Sequence, residues 1–354
     1  MGQLALIVGY GVWGFHARFA RGAQALTGHF YLQVVLCWLP IWAICTLVSL
    51  PAAVYYSILD RKYGISNSST VARLIDALKA NALSLVTGGL IIEIAFVSNV
   101  LFHSSGWLLS GLLCSILFWA ITSFMPWFLS FFYPVVPLKE GSLLERIAGL
   151  ARKASMQLGT VYEWKISGHT RQANALVYGV GRTRRILLTD TMISVLSEEE
   201  MEAIIAHELG HCAFHHVLKR LALQGVLFCG IFWIINTAVG NGLVWFADQN
   251  NISWADLKLV PGVFCLWSFG YIYANLIVAN LSRRQEKTAD RYSWKLMGTA
   301  KPFIAAMHKL NDLNLIVFDK SSQWRYHHPP TADRVLAAEQ YAQESQAAVS
   351  APDL

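Results

Sequence analysis

Hydrophobic residues fill five long runs of the chain, and polar residues gather in the segments between them. The runs cover residues 31–59, 81–102, 107–133, 221–246 and 258–281. Each run is long enough to cross a bilayer as a helix, which takes about 20 residues. The pattern therefore predicts a mostly α-helical polytopic membrane protein.

The N-terminal runs carry further local signals. Pro40 and Pro51 lie inside the first run and predict a kinked crossing. Only residues 103–106 join the second run to the third, which predicts an antiparallel helical hairpin. Residues 4–15 are apolar but too short to span a bilayer, so an interfacial helix and a shortened span are both open. Glu93 lies within the second run, where a carboxyl group is costly and either lines an internal cavity or makes a structural hydrogen bond.

After residue 138 the pattern changes to that of a water-exposed segment. Apolar positions recur at helical spacing over residues 143–158, among charged residues. Three short segments rich in β-forming residues follow, at 161–166, 174–179 and 185–189. Because Gly-containing turns separate these segments, they predict a small β-sheet.

The domain organisation follows from these patterns. Membrane helices dominate residues 1–137, which we interpret as an N-terminal membrane-helix domain. Residues 138–341 form a second domain that includes two of the spans, at about 221–246 and 258–281. The tail, residues 342–354, is small and polar and is predicted to be disordered.

One short motif carries candidate chemistry. Residues 206–212 read Ala-His-Glu-Leu-Gly-His-Cys and contain the pattern H-E-x-x-H. On a helix the four-residue step from His207 to His211 puts both imidazoles on one face, where they can share a metal ion. Glu208 stands beside them as a carboxylate base, so the motif indicates a zinc hydrolase. The alternative is a helix whose histidines merely pack or contact lipid headgroups.

The limits of the motif helix can also be predicted. Ser197 and Glu200 have the spacing of a capping box, which predicts that the helix begins there. No helix breaker follows His211 until Gly225, so the helix is predicted to continue into the next hydrophobic run, about 15 Å further on. The metal would then lie close to the membrane face. His215 continues the histidine face and is interpreted as interfacial, because a fourth imidazole would close the position that substrate needs.

A candidate third ligand lies just after the last hydrophobic run. Residues 282–290 are compatible with a helix in which Glu286 and Asp290 lie one turn apart. Glu286 can reach the metal while Asp290 hydrogen-bonds a ligand imidazole. Read alone, the stretch is also compatible with a solvated charged face on a juxtamembrane helix. Together with the H-E-x-x-H motif it favours a metal site.

Composition supports the membrane assignment and suggests an orientation. The 354 residues are 55% hydrophobic and only 14% charged, which is more apolar than one soluble core needs. Lys and Arg are concentrated in the segments 60–80, 134–220 and after 282, whereas 103–106 and 247–257 contain none. The positive-inside rule then places the metal motif on the cytoplasmic side, and the net charge of +6 reflects topology rather than a nucleic-acid partner. The six cysteines form no C-x-x-C pair and predict reduced thiols.

Eight sequence elements, in order, give the chain a resemblance to a known family. It resembles the type I CAAX prenyl proteases, integral membrane zinc metalloendopeptidases of the gluzincin class that are related to the bacterial heat-shock protease HtpX. The likeness covers roughly residues 50–336. Its elements are 51–67, 76–79, 137–141, Asn174-Ala175 with Gly179, 185–191, 207–211, 281–290, and His328-Pro329-Pro330 with Arg334. The resemblance implies that the second domain is a gluzincin-type zinc protease domain containing the small β-sheet.

The resemblance also implies a metal site and its base. His207, His211 and Glu286 would hold one zinc ion, and Glu208 would be the general base. Asp290 would support a ligand imidazole from behind.

Further residues are implied for the substrate. Asn174 and Ala175 would hold the substrate backbone, His328 would donate to the oxyanion or the substrate, and Arg334 would bind substrate behind it. From the residues alone, an ordinary turn or edge position for Asn174 and a turn histidine at His328 stay open.

The implied function is hydrolysis of peptide bonds near the cytoplasmic membrane face by a zinc metalloendopeptidase. Its partners would be the lipid bilayer and C-terminal CAAX-type or other membrane-associated peptides, prenylated or membrane-bound. One alternative is membrane-protein quality control of the HtpX type, and another is a non-catalytic, zinc-stabilised scaffold, which the intact Glu208 disfavours. A site-2-type intramembrane protease would need a Leu-Asp-Gly element, which the sequence lacks.

Overall fold

The computed structural model of the protein describes residues 14–178, 184–241, 253–314 and 328–350. Within these residues the chain forms eleven α-helices and one four-stranded sheet. The predicted fold class, a mostly helical polytopic membrane protein with a small β-sheet, is confirmed.

Four helices form the first part of the described chain. They are α1 (Phe15–Leu26), α2 (Phe30–Lys62), α3 (Thr70–Phe102) and α4 (Gly106–Phe132). Pro40 and Pro51 both lie inside α2. Residues 103–105 alone separate α3 from α4, and the Asn99 amide donates to Ser110 Oγ at 3.3 Å, as expected for a helical hairpin.

These helices also differ from the sequence interpretation. α3 begins at Thr70, well before the hydrophobic run that starts at residue 81, because residues 70–80 are mostly good helix formers such as Ala, Leu, Lys and Arg. Of the short apolar stretch, residues 4–13 lie outside the described residues. Glu93 is partly buried in α3, and its buried Oε1 has no hydrogen-bond partner among the described residues.

The four strands form one mixed sheet. They are β1 (Val135–Pro137), β2 (Val161–Trp164), β3 (Ala175–Tyr178) and β4 (Arg185–Thr189), in the spatial order β1-β2-β4-β3. β2 and β4 are parallel, and the two outer pairs are antiparallel. The sequence did not predict β1, a three-residue strand whose Pro137 is tolerated because the strand lies at an edge. Gly179, which belongs to the predicted Asn-Ala element, lies outside the described residues.

Five helices and a short 3-10 turn form the central part of the described chain. They are α5 (Ser142–Lys153), between β1 and β2, then α6 (Asp190–Val195), α7 (Glu198–Ala213), α8 (His216–Gly240), a 3-10 turn (Leu257–Leu259) and α9 (Val260–Met297). Ser197 and Glu200 form the predicted capping box at the start of α7.

The prediction that α7 continues unbroken into the membrane was wrong. α7 ends at Ala213, and α8 begins at His216. His215 between them has φ of 52°, in the left-handed region where histidine is found more often than most residues. The chain therefore turns at His215 and brings a different histidine to the end of α7.

The C-terminal helices are α10 (Lys301–Asn314) and α11 (Thr331–Ser350). The tail was predicted to be disordered from residue 342, but α11 continues through Ser350. Its Ala, Gln and Glu residues have high helix propensity. The prediction of disorder considered only the small and polar composition of the tail.

Five helical segments are long and apolar enough to cross a membrane. They are Phe30–Lys62, Thr70–Phe102, Gly106–Phe124, His216–Gly240 and Leu257–Met297. Each contains the core of one predicted hydrophobic run, so the chain is an integral membrane protein.

Internal contacts divide the chain into two compact units. The bundle unit is formed by the described residues within Met1–Leu59, Thr70–Ala120 and Leu221–Asn275, and its core includes Trp38, Phe96 and Phe232. The sheet unit is formed by the described residues within Asp60–Ser69, Ile121–Arg220 and Leu276–Leu354, and its core includes Ile147, Leu188 and Phe303. These units interleave along the chain, whereas the domains predicted from the sequence are consecutive segments.

Candidate metal centre

Helix α7 holds His207 and His211 four residues apart on one face. The capping box fixes the start of this helix, and its sides pack against α5, α10 and β3. Both imidazoles are largely buried, with side chains 6% and 11% exposed. Their Nε2 atoms lie 3.2 Å apart. The helix therefore brings two ring nitrogens to one point inside the sheet unit.

Helix α9 passes α7 at a very short distance. A Cβ atom at Gly210 would lie only 3.0 Å from the Cα atom of Ala289, so the helices could not approach this closely with a larger residue at 210. The Ser293 hydroxyl donates to the Ala203 carbonyl at 2.7 Å and joins the same two helices. Small residues on both helices thus set the distance at which α9 presents its side chains to the histidines.

Glu286 of α9 lies against both histidines and is only 1% exposed. Its Oε2 is 3.5 Å from His207 Nε2, and its Oε1 is 3.2 Å from His211 Nε2. Ligand atoms bound tetrahedrally to zinc at about 2.0–2.1 Å are about 3.3–3.4 Å apart. The three donor atoms therefore already have nearly the separations that a shared zinc ion requires.

Charges and hydrogen bonds around these atoms compensate them only in part. An Arg334 nitrogen lies 3.7 Å from Glu286 Oε2, beyond hydrogen-bond distance, and is already bound to Asp290. His207 Nδ1 lies 2.8 Å from Asp290 Oδ1, so in neutral His207 this nitrogen holds the proton and Nε2 presents a lone pair. Glu286 Oε2 is buried without a well-aligned hydrogen bond, although His328 Nδ1 is 2.9 Å away. Lone pairs and a buried carboxylate converge here, and a further cation bound between them would stabilise both. Two imidazoles and a carboxylate are a donor set that suits a divalent metal such as zinc.

The pKa of His207 shows the same preference for positive charge. Burial lowers this pKa, but hydrogen bonds to Asp290 and Glu286 outweigh the burial and raise the pKa to about 9. The carboxylates therefore stabilise a positive charge at His207 Nε2, where a proton and a metal ion would compete.

A buried ion pair lies behind His207. Arg334, which was predicted to bind substrate, donates to both oxygens of Asp290 at 2.6 and 2.9 Å. Its guanidinium also lies 5.5 Å from the centre of the Phe303 ring, and its side chain is 11% exposed. Two donated hydrogen bonds satisfy the Asp290 carboxylate while it accepts from His207. The ion pair thereby fixes the orientation of that imidazole.

Neither of the two residues predicted to be catalytic is fully buried. His328 is 68% exposed at its side chain, while its Nδ1 reaches Glu286. Glu208 is half-buried and follows His207 directly on α7. His328 therefore holds a proton-donating ring beside Glu286. Glu208 carries a carboxylate one residue from the ligand His207.

Asn174 and Ala175, which were predicted to hold the substrate backbone, lie at a sheet edge. No hydrogen bond among the described residues joins them to this cluster. Asn174 is exposed and precedes β3, and its carbonyl accepts from Thr189 N at 3.1 Å. Because bonded and non-bonded pairs alternate along an antiparallel ladder, the backbone groups of Ala175 and Val177 point away from β4. β3 has no partner on that side among the described strands, and it packs against α7.

One residue of the cluster was missed in the sequence. His216 is 3% exposed, and its Nδ1 lies 2.9 Å from Nδ1 of His211. The sequence interpretation considered only His215, which continues the helical face of His207 and His211, and interpreted it as interfacial. In the structure His215 is exposed. The adjacent pair of histidines was the available signal, but only the left-handed turn reveals which of the two faces inward.

Comparison with known proteins agrees with this geometry. The sequence profile of Peptidase family M48 matches residues 137–342. CAAX prenyl protease 1 of Saccharomyces cerevisiae is 27% identical over 324 residues, which covers 85% of this chain and 71% of that protein. The uncharacterized metalloprotease YhfN of Bacillus subtilis is 26% identical over 341 residues, covering 93% and 78% of the two chains.

The fold also matches that of a solved structure. The crystal structure of S. mikatae Ste24p superposes with a TM-score of 0.77, over 94% of this chain and 82% of that one, at 23% sequence identity. At that identity the match concerns the fold. The resemblance to CAAX prenyl proteases that was read from eight motifs is confirmed.

Proposed function

The chain belongs to Peptidase family M48 and is a membrane metalloprotease. On that premise we propose that it is a zinc-dependent endopeptidase that hydrolyses peptide bonds near the cytoplasmic membrane face. His207, His211 and Glu286 would hold one zinc ion. The observation that carries the proposal is the convergence of their three donor atoms, which lie within 4.8 Å of one another at a largely buried point.

Each nearby side chain has a role in this proposal. When bound, zinc supplies a Lewis acid that activates water and polarises a peptide carbonyl. Glu208 takes a proton from the attacking water and delivers it to the leaving amine. His328 donates a hydrogen bond to the developing oxyanion, a type of contact whose removal typically costs about 10²–10³ in kcat. Asp290, held by Arg334, orients His207; direct contact between Arg334 and substrate rests on the family resemblance alone.

The open edge of β3 supports a binding mode for an extended peptide. The backbone groups of Ala175 and Val177 are oriented to pair with one more strand, which is the usual way in which a sheet edge binds a peptide. Asn174, at the start of this edge, would hold the substrate backbone with its amide. Because β3 packs against α7, such a strand would lie along the helix that carries His207.

The substrate class is proposed from the relatives. CAAX prenyl protease 1 of yeast suggests C-terminal CAAX-type or other membrane-associated peptides. A second candidate is quality control of membrane proteins as in the HtpX type. It stays open because the similarity to YhfN shows that the relatives are not confined to proteins named CAAX prenyl proteases.

The orientation is proposed from charge. Lys and Arg cluster in the segments 60–80 and 134–220 and after residue 282, which favours the cytoplasmic side for the metal centre. A cysteine introduced at Lys62, in a background without the six native cysteines, tests this orientation. A membrane-impermeant thiol reagent should label it in inside-out vesicles only. Labelling only in right-side-out vesicles would reverse the orientation.

Cleavage of two substrates tests the function. Purified protein in detergent is incubated with a farnesylated C-a-a-X peptide and with an unmodified membrane-protein fragment, and Glu208→Gln protein is the control. Preference for the farnesylated peptide, lost in the variant, is the expected result. Cleavage of the fragment alone would assign the protein to membrane-protein quality control. A zinc-loaded protein that cleaved neither would contradict the peptidase proposal and favour a scaffold.

A further inference from the structure

We propose that His216 is a positioning residue for the metal ligand His211, which it holds in the tautomer and ring orientation that present Nε2 to the metal. This inference rests on the proposed metal site and adds a residue to it. His216 is not one of the three residues that would donate a ligand atom to the metal. Its Nδ1 lies 2.9 Å from Nδ1 of His211, on the side of that ring opposite to the nitrogen that faces Glu286.

The proton positions follow from the geometry. His211 Nε2 lies 3.2 Å from both Glu286 Oε1 and His207 Nε2, so this is the nitrogen that a shared metal would bind. A ligating nitrogen carries no proton, and therefore neutral His211 keeps its proton on Nδ1. That N–H needs an acceptor in a largely buried site. The described atom within reach is Nδ1 of His216, which accepts only if His216 is neutral with its own proton on Nε2.

The two ligand histidines therefore have different partners. His207 donates its Nδ1 proton to the carboxylate of Asp290, which carries a charge and is itself held by Arg334. His211 donates to a neutral imidazole. Partners of this kind fix the tautomer and the ring orientation of a metal-bound histidine. Without His216, the His211 ring could rotate or exchange its tautomer, and its Nε2 would then not be reliably available.

Several contacts within the sheet unit hold His216 in place. Its ring stacks on Phe214, with ring centres 5.6 Å apart and planes inclined by 21°. The Gln285 amide donates to the His216 carbonyl at 3.3 Å, and Gln285 directly precedes Glu286 on α9. The left-handed His215 turns the chain so that His216 and not His215 points inward. The turn at His215 and His216 therefore orients the His216 ring. Through Gln285 it is also bonded to α9 next to Glu286.

Matched substitutions separate the hydrogen bond from packing. Asn places its Oδ1 where His216 has Nδ1, so His216→Asn keeps an acceptor at that position. Leu has nearly the same shape as Asn but offers no acceptor. His216→Phe keeps a ring that can stack on Phe214, again without an acceptor. His215→Asn is the control, because His215 is exposed and Asn tolerates the left-handed conformation.

The measurement is zinc affinity of the full-length protein in detergent, by competition with a chromophoric chelator. His216→Leu and His216→Phe should bind zinc about 10- to 100-fold more weakly, the usual loss when the partner of a ligand is removed. His216→Asn should recover most of the affinity, and His215→Asn should match the parent protein. The absorption spectrum of the cobalt-substituted protein should change in the Leu and Phe variants and not in the Asn variant.

Other outcomes would overturn the inference. If Phe matched the parent protein while Asn and Leu were equally weak, His216 would act through ring packing. If all three bound zinc normally, it would not position His211. Thermal unfolding of the metal-free proteins identifies any variant that fails to fold, and if Phe does so, the Asn and Leu pair carries the test. Failure of the parent protein itself to bind zinc would instead refute the proposed metal site.

Discussion

The bundle unit and the sheet unit bury different kinds of side chain. In the bundle unit the buried polar residues among those described are all neutral: Ser98, Asn99, Ser110 and Gln224. In the sheet unit they include three carboxylates and two imidazoles: Glu200, Glu286, Asp290, His207 and His216. Both units are built mainly from helices, so helix content does not account for the difference.

The difference indicates where the chemistry resides. An unpaired buried charge costs several kcal/mol, so a fold keeps such groups only where each is paired or serves a function. The fully buried polar groups of the bundle unit carry no charge, so an unpaired one costs less. Asn99 donates to the Ala95 carbonyl and to Ser110, whereas its Oδ1 and Gln224 Nε2 have no partner among the described residues. In the sheet unit the buried charges meet at the helix that carries His207. We therefore expect the stability of the bundle unit to depend mainly on the shape of its side chains. Zinc binding and stability at the metal centre should depend mainly on charge and on the donor atoms.

The largest effect should follow from removing a donor atom. His207→Ala takes away one of three ligands and should weaken zinc binding by more than the about 100-fold that loss of a ligand's partner can cost. His308→Ala is the matched control, because His308 is exposed on α10 of the same unit. Zinc content after dialysis measures both. Equal zinc content in the two variants would show that the metal binds elsewhere.

The next largest effect should come from removing a compensating charge. Arg334→Ala leaves Asp290 buried without its cation and should destabilise the protein by about 3–5 kcal/mol. Glu339→Ala, at an exposed position of the same helix, should change stability by no more than about 0.5 kcal/mol. In the bundle unit, Ser110→Ala removes only neutral hydrogen bonds and should cost about 1 kcal/mol. Denaturant titration in detergent measures all three, and an Arg334→Ala protein as stable as the Ser110→Ala protein would remove the proposed contrast.

A change of shape should affect the bundle unit alone. A Cβ atom at Gly111 would lie 2.6 Å from Cα of Cys229, so Gly111→Ala must push α4 and α8 apart and should cost about 1–3 kcal/mol. Gly230→Ala is the control, since a Cβ there would meet no atom of the described residues within 4 Å. Folded Gly111→Ala protein should still bind zinc with the affinity of the parent. Loss of zinc from folded protein would mean that shape in the bundle unit controls the metal centre.

The smallest expected effect is on how protein stability depends on pH in acid solution. Burial raises the pKa of Glu200, but hydrogen bonds from Lys309 and Ser197 outweigh it and lower the pKa below its usual value. A lowered pKa in the folded protein means that this contribution is complete above the unfolded pKa of about 4.3 and is lost as the pH falls through the folded value. Glu200→Gln keeps the capping box without the titration. Its unfolding midpoint should therefore fall less steeply below about pH 4 than that of the parent; an identical slope would contradict the assignment.

Much of the fold could be predicted from the sequence because its signals are local. Hydrophobic length predicts the five spans, and the Ser197 and Glu200 pair predicts where α7 begins. The predictions failed where a local signal was weak or ambiguous. β1 has only three residues, and α3 and α11 extend into polar segments whose residues favour helix without showing it in their hydropathy.

The candidate site divides in the same way. The four-residue step from His207 to His211 fixes their common face, and a second helix with Glu286 is easily recognised. The role of His216 depends on one left-handed residue, His215, which reverses the face that a continuous helix would present. The close passage of α9 depends on Gly210, whose small size has meaning only once its neighbour Ala289 is known. Such relations depend on how the helices pack and cannot be predicted from the spacing of residues in the sequence.

The measurement that tests the central claim most directly is zinc content and peptide cleavage in the Glu208→Gln protein, compared with the parent. The three donor atoms are untouched, so the variant should hold one zinc per chain. Without the carboxylate base, cleavage should fall by about 10²–10⁴ or more. A variant that held zinc and cleaved at the parental rate would contradict the account, because the base would then not be Glu208.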